Sequence, residues 1–337
     1  MSFSRVAGHE TVIENLRRLI RSDRLAHAYL FAGPDGVGKF LTAVAFAQAI
    51  LCPSSAKTGD ACGKCPGCVR VDSGNHSDLT VFQPEVEGRQ FVADLVEQLQ
   101  SQIPLKPRSG NRRVFILRDV HEMNATAANR LLKTLEEPPS HALLILVTSS
   151  VHALPETILS RCRLVRFGAL PAERVIQALS EKAGARSEDA AWLSRFAAGS
   201  VGQALRLAEG PLRNARAEML KSAASAHGMS HIALSDALSG LADAAGKSAF
   251  ERRAFMCQLL ALLAGLYRDA ALMGMNGSIE GCLNQDVPDI VRGVSARSSP
   301  EVNANHAERC LDAARCIAQN ANVTMILDGL AQDLAGG

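Results

Sequence analysis

One short glycine-containing segment constrains the fold of this chain more than any other feature. Gly33, Gly38 and Lys39 fit the spacing G-x-x-x-x-G-K, with a further glycine at Gly36. An apolar run, AYLFA at 28–32, precedes the segment, and a helical pattern follows it. In such a strand–loop–helix unit the glycines let backbone N–H groups surround a phosphate, and the helix start favours negative charge. Lys39 would then reach the outer phosphates of a nucleotide; the alternative is a chance glycine turn.

Apolar runs alternate with helical patterns through the first half of the chain. This alternation predicts a three-layer α/β domain with a mostly parallel sheet. After Pro171 the strand signals end, and short helices broken at Gly199-Ser200 lead into a long helical segment. Asn124 is the predicted N-cap of a helix at 125–137. Other helices are predicted at 10–22 and near 90–103, strands at 28–32, 79–82, 114–117, 143–148 and 163–167, and domains at 1–168, 169–210 and 211–337.

The composition excludes some classes of protein. Net charge is +2 over 337 residues, so the whole chain is not a basic nucleic-acid binder, although a local basic patch is compatible with it. Hydrophobic residues make up 47%, enough for real cores, yet no run approaches the roughly 20 apolar residues of a membrane span. Residues 1–10 contain no apolar signal core, so we expect a cytoplasmic protein whose nine cysteines form no disulfide framework.

The residues that would handle magnesium beside the phosphate loop are replaced. A Ser or Thr usually follows the loop lysine and binds Mg²⁺, but Phe40 stands there. Thr42 is no obvious substitute, because two residues turn a helix by about 200°. The strand at 114–117 leads not into two acids but into Arg118-Asp119, and an arginine repels a cation. We therefore expect no Mg²⁺ site and poor or absent hydrolysis, while binding of ATP or ADP stays open.

Four cysteines stand close together after the helix that follows the loop. Cys52, Cys62, Cys65 and Cys68 give the spacing C-x9-C-x2-C-x2-C. Thiolates at this spacing converge on one ion, and four sulfur ligands form a closed tetrahedral Zn²⁺ site without an open position for water. The sequence therefore predicts a structural zinc in an insertion at 52–68; the alternative is four free thiols.

Several motifs in a fixed order point to one family. With the phosphate loop and the cysteine insertion, they resemble the bacterial sliding-clamp loader of DNA polymerase III, which is of the AAA+ type. The resemblance covers at least residues 5–210, whereas residues 211–337 fit only in size and helical content. The motifs are GNHSDL at 74–79, AANRLLKTLEEPP at 127–139, LILVTSS at 144–150 and LPETILSRC at 154–162.

The resemblance implies an architecture and a set of partners. The α/β domain would be an AAA+ P-loop domain, 169–210 a small helical lid domain and 211–337 an all-α collar that holds a hetero-pentamer together. The implied partners are gamma/tau and delta subunits, the sliding clamp, and primed DNA threaded through the ring; no membrane is implied. Lys133 is a candidate contact to the DNA backbone, with a solvated surface lysine as the alternative.

Three departures separate a gamma/tau-type ATPase motor from a non-hydrolysing delta-prime-type stator within this family. The motor keeps Ser or Thr after the loop lysine, an acidic pair, and an arginine after the small-domain Gly-Ser. This chain has Phe40, Arg118-Asp119 and Gly202 at those places. All three suit the stator, as does the end at Gly337 without a tau-like extension; the alternative is a divergent motor.

Two further residues receive roles from the resemblance. Arg161, in Ser160-Arg161-Cys162, would enter a neighbouring motor's ATP site as an arginine finger. A planar, permanently charged guanidinium stabilises charge that develops on the phosphoryl group. Thr148 stands at the strand end where a polar sensor would face the γ-phosphate. The alternatives are a surface or salt-bridged arginine, and a threonine whose sensor role went with the metal ligands.

Overall fold

The computed structural model describes residues 2–83, 93–183, 187–208, 211–225, 231–243 and 248–335. The chain forms two compact units. One comprises Met1–Arg174 with Gly199–Gln203, and the other comprises Val175–Ala198 with Ala204–Gly337. These bounds divide the predicted lid segment 169–210 between the units, and the three-domain division stays a prediction.

A five-stranded parallel sheet forms the centre of the first unit. Its strands are β1 Ala28–Ala32, β2 Leu79–Phe82, β3 Arg113–Leu117, β4 Ala142–Thr148 and β5 Arg163–Arg166. They lie in the order β2-β3-β4-β1-β5, and every neighbouring pair is parallel, which confirms the predicted sheet. The inner strands β1, β3 and β4 are buried along their whole length, because helices cover both faces of a parallel sheet.

Helices lie on both faces of this sheet and complete the three predicted layers. Tyr29 and Phe31 share one face and pack against Phe46 of the helix after the phosphate loop. Leu30 points to the opposite face and joins the core cluster that contains Leu131, because successive strand residues alternate between faces. The helices are α1 Glu10–Arg21, α2 Lys39–Leu51, α3 Ser55–Thr58, α4 Pro66–Asp72, α5 Ala93–Gln102, α6 Ala125–Glu136 and α7 Glu156–Leu159, with 3-10 turns at Phe3–Arg5 and Val120–Glu122.

The predicted start of α6 is confirmed. Asn124 Oδ1 accepts a hydrogen bond from Ala127 N at 2.8 Å, which satisfies one of the unpaired donors of the first turn. The helix predicted near 90–103 is observed from Ala93 to Gln102, while residues 90–92 lie outside the described part of the chain.

The rest of the described chain is helical. The predicted break at Gly199-Ser200 is confirmed, because one helix ends at Phe196 and the next begins at Val201. A later helix ends at Asn276 and is followed by Gly277, whose φ is 67°. These helices are α8 Ala172–Ala183, α9 Ser187–Phe196, α10 Val201–Ala208, α11 Leu212–Ser225, α12 His231–Asp243, α13 Ala249–Asn276, α14 Pro288–Ser295, α15 Pro300–Ala318 and α16 Val323–Ala335.

The longest described helix, α13, packs along α15 in the second unit. It begins with a capping box, in which Ser248 Oγ accepts from Glu251 N and the Glu251 carboxylate accepts from Ser248 N. By length and composition alone its part Glu251–Asn276 could cross a membrane, which the sequence patterns did not predict. However, 72% of the apolar stretch is buried inside the protein, as in the core helix of an α-helical domain.

A buried polar network joins three helices of the second unit. Arg216 stacks on Trp192 with its guanidinium carbon 4.3 Å from the ring centre. It also binds both carboxylate oxygens of Asp286, at 2.8 and 3.1 Å, and donates to Asn284 Oδ1 at 2.8 Å. Asn284 Nδ2 in turn donates to the fully buried Asp269 at 2.8 Å. The network therefore ties α9, α11 and α13 to the loop that precedes α14.

Candidate functional site

The predicted phosphate loop lies between β1 and α2, at the edge of the sheet where ligands bind in open α/β folds. Gly36 has φ 71° and Gly38 has φ 106°, a left-handed backbone that glycine adopts without steric cost. A Cβ on Gly36 would lie 2.3 Å from Ser200 Oγ, and one on Gly33 would lie 2.1 Å from Phe167 O. The predicted glycines thus form one cradle, whose walls include Ser200 and Phe167.

The loop lysine is bonded within its own loop. Lys39 is 5% exposed, and its Nζ donates to Pro34 O at 2.6 Å. Burial lowers the pKa of Lys39, while the carboxylates of Asp35 and Asp119 oppose this by favouring the charged form. To bind a phosphate, Lys39 would have to exchange the carbonyl oxygen of Pro34 for a phosphate oxygen.

Gly202, at the predicted sensor position, forms a backbone hydrogen bond with the phosphate loop. Gly202 N donates to Gly36 O at 2.8 Å. A Cβ on Gly202 would lie 2.8 Å from Gly36 Cα, so a side chain fits only if the backbone shifts. The absence of a side chain at Gly202 therefore lets the start of α10 approach the loop.

The side chain of Arg118 lies against Phe40, where a P-loop ATPase has its Ser or Thr and its acidic residues as magnesium ligands. The guanidinium carbon of Arg118 lies 4.4 Å from the ring centre of Phe40, within the range of a cation–π contact. Arg118 Nη1 donates to Gln83 Oε1 at 2.9 Å, and its Nε lies 3.9 Å from Asp119 Oδ2. Two replacements that the sequence showed separately are thus one contact, which places a permanent positive charge at the start of α2.

Two threonines beside the loop have hydroxyls bonded to the backbone. Thr42 Oγ1 donates to Gly38 O at 2.9 Å. Thr148, the predicted polar sensor, is fully buried, and its Oγ1 donates to Ser150 O at 2.9 Å and accepts from Ser150 N at 3.1 Å. These bonds hold the turn after β4, and the sensor role of Thr148 stays a prediction.

Sequence reasoning missed two histidine contacts of the first unit. His9 Nε2 lies 2.9 Å from Val37 O in the loop, and its ring meets Phe167 edge to face at 5.0 Å. His121 has Nε2 2.8 Å from Ser149 Oγ, while its Nδ1 is buried without a hydrogen-bond partner in the described chain. No spacing signal could have revealed either contact, because each joins residues far apart in sequence.

The four predicted metal ligands converge in the insertion. The Sγ atoms of Cys52, Cys62, Cys65 and Cys68 lie within 4.8 Å of one another, as binding to one ion requires. The N–H groups of Cys62, Cys65 and Cys68 each donate to the sulfur of the preceding cysteine at 3.4 Å. Backbone N–H groups of Lys64 and Cys65 lower the pKa of Cys62 to about 6, which favours a metal-binding thiolate. Burial raises the pKa of Cys68 to about 12, and a bound cation would offset that cost.

Arg161 lies in the turn between α7 and β5, with a side chain that is 35% exposed. Its Nη2 forms an ion pair with Glu136 Oε1 at 2.8 Å, and its Nη1 donates to Thr157 O at 3.0 Å. Glu136 ends α6, so the motifs AANRLLKTLEEPP and LPETILSRC meet at this ion pair. The side chain is thus partly open to solvent beside the edge strand β5.

Comparisons with known proteins place the chain in a family. A family model described as DNA polymerase III, delta subunit, matches residues 8–171. The DNA polymerase III delta' subunit of Bacillus subtilis is 34% identical over 171 residues, which cover 51% of this chain and 51% of that protein. The delta' subunit of Pseudomonas aeruginosa is 39% identical over 137 residues, 41% of this chain and 42% of that protein. Over residues 8–171, this chain matches the clamp-loader family of AAA+ proteins.

Clamp-loader subunits of the other type match as well. The tau/gamma subunit of Haemophilus influenzae is 35% identical over 213 residues, 62% of this chain and 30% of that protein. Identity alone therefore does not separate the delta' type from the tau/gamma type. The chain spans between 30% and 51% of the length of these relatives. A gamma subunit-related structure from Thermotoga maritima aligns over 96% of this chain and 98% of that one, with 16% identity and a TM-score of 0.47.

The family match includes some of the candidate functional residues and leaves others outside it. Residues 8–171 contain the phosphate loop, the four cysteines and Arg161. Gly202 and the helices of the second unit lie beyond it, so the lid and collar assignments stay predictions.

Proposed function

We propose that this clamp-loader protein is a non-hydrolysing stator subunit of the delta-prime type, which donates Arg161 to the ATP site of a neighbouring motor subunit. One observation carries the proposal: Arg118 stacks on Phe40 at the place where an ATPase holds its magnesium ligands. The closed contact between Gly202 and Gly36 supports the same conclusion.

Hydrolysis in a P-loop enzyme needs a metal ion that bridges the phosphates and a group that orients water. Phe40 offers no ligand atom, and Arg118 adds a positive charge next to the remaining acid. Asp119 Oδ2 lies 3.9 Å from Arg118 Nε, so its carboxylate already faces a cation of its own chain. The chemistry left to this subunit is electrostatic assistance in trans.

Arg161 has the properties of such a group. It is partly exposed, stands beside the edge strand β5, and is permanently charged. A cation that enters a neighbour's site neutralises charge on the transferring phosphoryl group, an effect on the order of 10³–10⁵ in rate for arginine fingers.

Reconstitution with gamma/tau and delta subunits tests the role of Arg161. Arg161→Ala should assemble normally yet slow ATP turnover of the whole loader, whereas Arg163→Ala, an exposed arginine two residues on, should not. Unchanged turnover in Arg161→Ala loaders would refute the finger.

The second candidate is a divergent ATP-hydrolysing motor of the gamma/tau type. It is favoured by the intact G-x-x-x-x-G-K spacing and by the 35% identity to a tau/gamma subunit. A steady-state ATPase assay on the isolated chain separates the two candidates. The stator should show no more turnover than its Lys39→Ala variant, and turnover that depends on both Mg²⁺ and Lys39 would establish the motor.

The remaining parts of the proposal concern metal, assembly and location. Cys52, Cys62, Cys65 and Cys68 hold a structural Zn²⁺, whose closed thiolate set leaves no position for catalytic water. The subunit joins gamma/tau and delta in a cytoplasmic hetero-pentamer that loads the sliding clamp on primed DNA. Residues 169–210 act as the lid and 211–337 as part of the collar.

A further inference from the structure

We propose that Glu136 is a positioning residue, which sets the direction of the Arg161 guanidinium before that group meets the neighbouring ATP site. The proposal rests on the proposed function of Arg161 as a finger. It starts from the ion pair between Arg161 Nη2 and Glu136 Oε1 at 2.8 Å.

Acceptors of the same chain hold two different nitrogens of the guanidinium, and a longer contact of 3.4 Å joins Nη1 to Ser160 Oγ. Glu136 binds Nη2, while Thr157 O accepts from Nη1 at 3.0 Å. A single hydrogen bond would leave the planar group free to rotate, but two bonds to different nitrogens fix both its position and its plane. A guanidinium has five N–H donors, so the remaining ones are left for the oxygens of a phosphoryl group.

Both acceptors stand on anchored helices. Leu135, next to Glu136, is 2% exposed, and Leu131 one turn earlier is fully buried, so the end of α6 is fixed by the core. Ile158, next to Thr157, is also fully buried. The guanidinium is therefore oriented by elements whose own positions are set by the sheet, which is the support that a precisely placed functional group needs.

The ion pair has little to do with folding. The Glu136 side chain is 49% exposed and that of Arg161 35%, and exposed pairs of this kind contribute little to stability because water and salt screen them. Loss of Glu136 should therefore change the function of Arg161 while leaving the fold as it is.

The test compares Glu136→Ala with Glu137→Ala in loaders reconstituted with gamma/tau and delta subunits. Glu137 is the matched control, because it is an exposed carboxylate one residue away at the same helix end. The Arg161-dependent part of turnover is the difference between wild-type and Arg161→Ala loaders. Glu136→Ala should lose at least half of that part through kcat, with KM for ATP and the thermal midpoint of the chain unchanged, and Glu137→Ala should lose none.

A double variant shows whether Glu136 acts through Arg161. Adding Glu136→Ala to Arg161→Ala should have no further effect, because a positioning residue has nothing left to position. A further loss in the double variant, a rise in turnover in Glu136→Ala, or wild-type turnover in Glu136→Ala would each overturn the inference. If Arg161→Ala itself matched wild type, the proposed function would fail instead.

Discussion

Gly202 donates its N–H to Gly36 O, and the space between the two residues leaves no room for a Cβ. The sequence identified Gly202 only as a departure from an arginine sensor. The structure adds a packing role for this glycine, because the small residue lets the segment Gly199–Gln203 pack as part of the unit that contains the phosphate loop. The close contact between Gly202 and the phosphate loop thus depends on the absence of a side chain at position 202.

Gly202→Ala should destabilise the first unit by about 1–3 kcal/mol, the usual cost of overpacking a tight contact. The added Cβ would lie 2.8 Å from Gly36 Cα, and backbone cannot move aside as a flexible side chain can. Gly168→Ala is the control, since a Cβ there meets no atom within 4 Å. Urea unfolding measures both, and equal stability of the two variants would show that the contact is not tight in solution.

At the scale of elements, a buried carboxylate joins the start of β2 to the loop before β3. Asp78 is 1% exposed and accepts hydrogen bonds from Arg108 N at 2.7 Å, Ser109 N at 2.8 Å and Ser109 Oγ at 2.7 Å. Burial raises the pKa of Asp78, but these donors outweigh it and bring the pKa below the ordinary value of 3.8.

This depressed pKa predicts a pH dependence. The contribution of Asp78 to stability should be fully present above the unfolded pKa and should be lost as pH falls through the lower folded pKa. The difference in unfolding free energy between wild type and Asp78→Asn should therefore shrink between about pH 5 and pH 2. Asp94→Asn, at an exposed position of α5, is the control and should differ little from wild type throughout. A difference for Asp78→Asn that stays constant or grows as the pH falls would contradict a depressed pKa.

The cysteine insertion is an element that we expect a metal to organise. Purified protein should contain about one zinc per chain, because four thiolates complete a tetrahedral site. Cys65→Ser should lose the metal, and Cys316→Ser should keep it, since Cys316 lies outside the cluster. Elemental analysis measures both. A wild-type chain that is folded and free of metal would contradict the zinc assignment.

Local patterns predicted the elements well, because periodicity and caps act over a few residues. The strands were placed to within a residue, and Asn124 was identified as a cap from its position alone. The state of the site was not predictable in the same way. Three contacts depend on side-chain directions that a sequence pattern does not give: the bond of Lys39 to Pro34, the stacking of Arg118 on Phe40 and the ion pair of Arg161 with Glu136. The contacts of Arg118 and Arg161 also depend on which segments the sheet brings together.

At the scale of the whole molecule, each unit has its own tertiary contacts. The first is built on the parallel sheet, and the second contains the Arg216 network. Two units with separate cores should unfold in separable steps, so a substitution in one should leave the other's transition in place.

Arg216→Ala should lower only the transition of the second unit, by roughly 2–4 kcal/mol, because Asp286 loses two short hydrogen bonds and Asn284 Oδ1 loses its bond to Arg216 in a mostly buried network. Arg213→Ala is the control, since Arg213 pairs with Asp189 while 51% exposed, and exposed pairs contribute about 0–1 kcal/mol. Scanning calorimetry resolves the transitions. A single transition that shifts in both Arg216→Ala and Gly202→Ala would refute independent unfolding.

The contact between Gly36 and Gly202 also bears on how such a subunit evolves. It joins two main-chain groups, so selection cannot tune it through charge or through the chemistry of a side chain. The constraints at these positions are the size of the residue at 36 and 202 and the left-handed backbone of Gly36, whose φ is 71°. Under the proposed stator function, a gain of nucleotide hydrolysis would therefore require changes at Gly202, Phe40 and Arg118 together, since a substitution at any one of them would leave the other two in place.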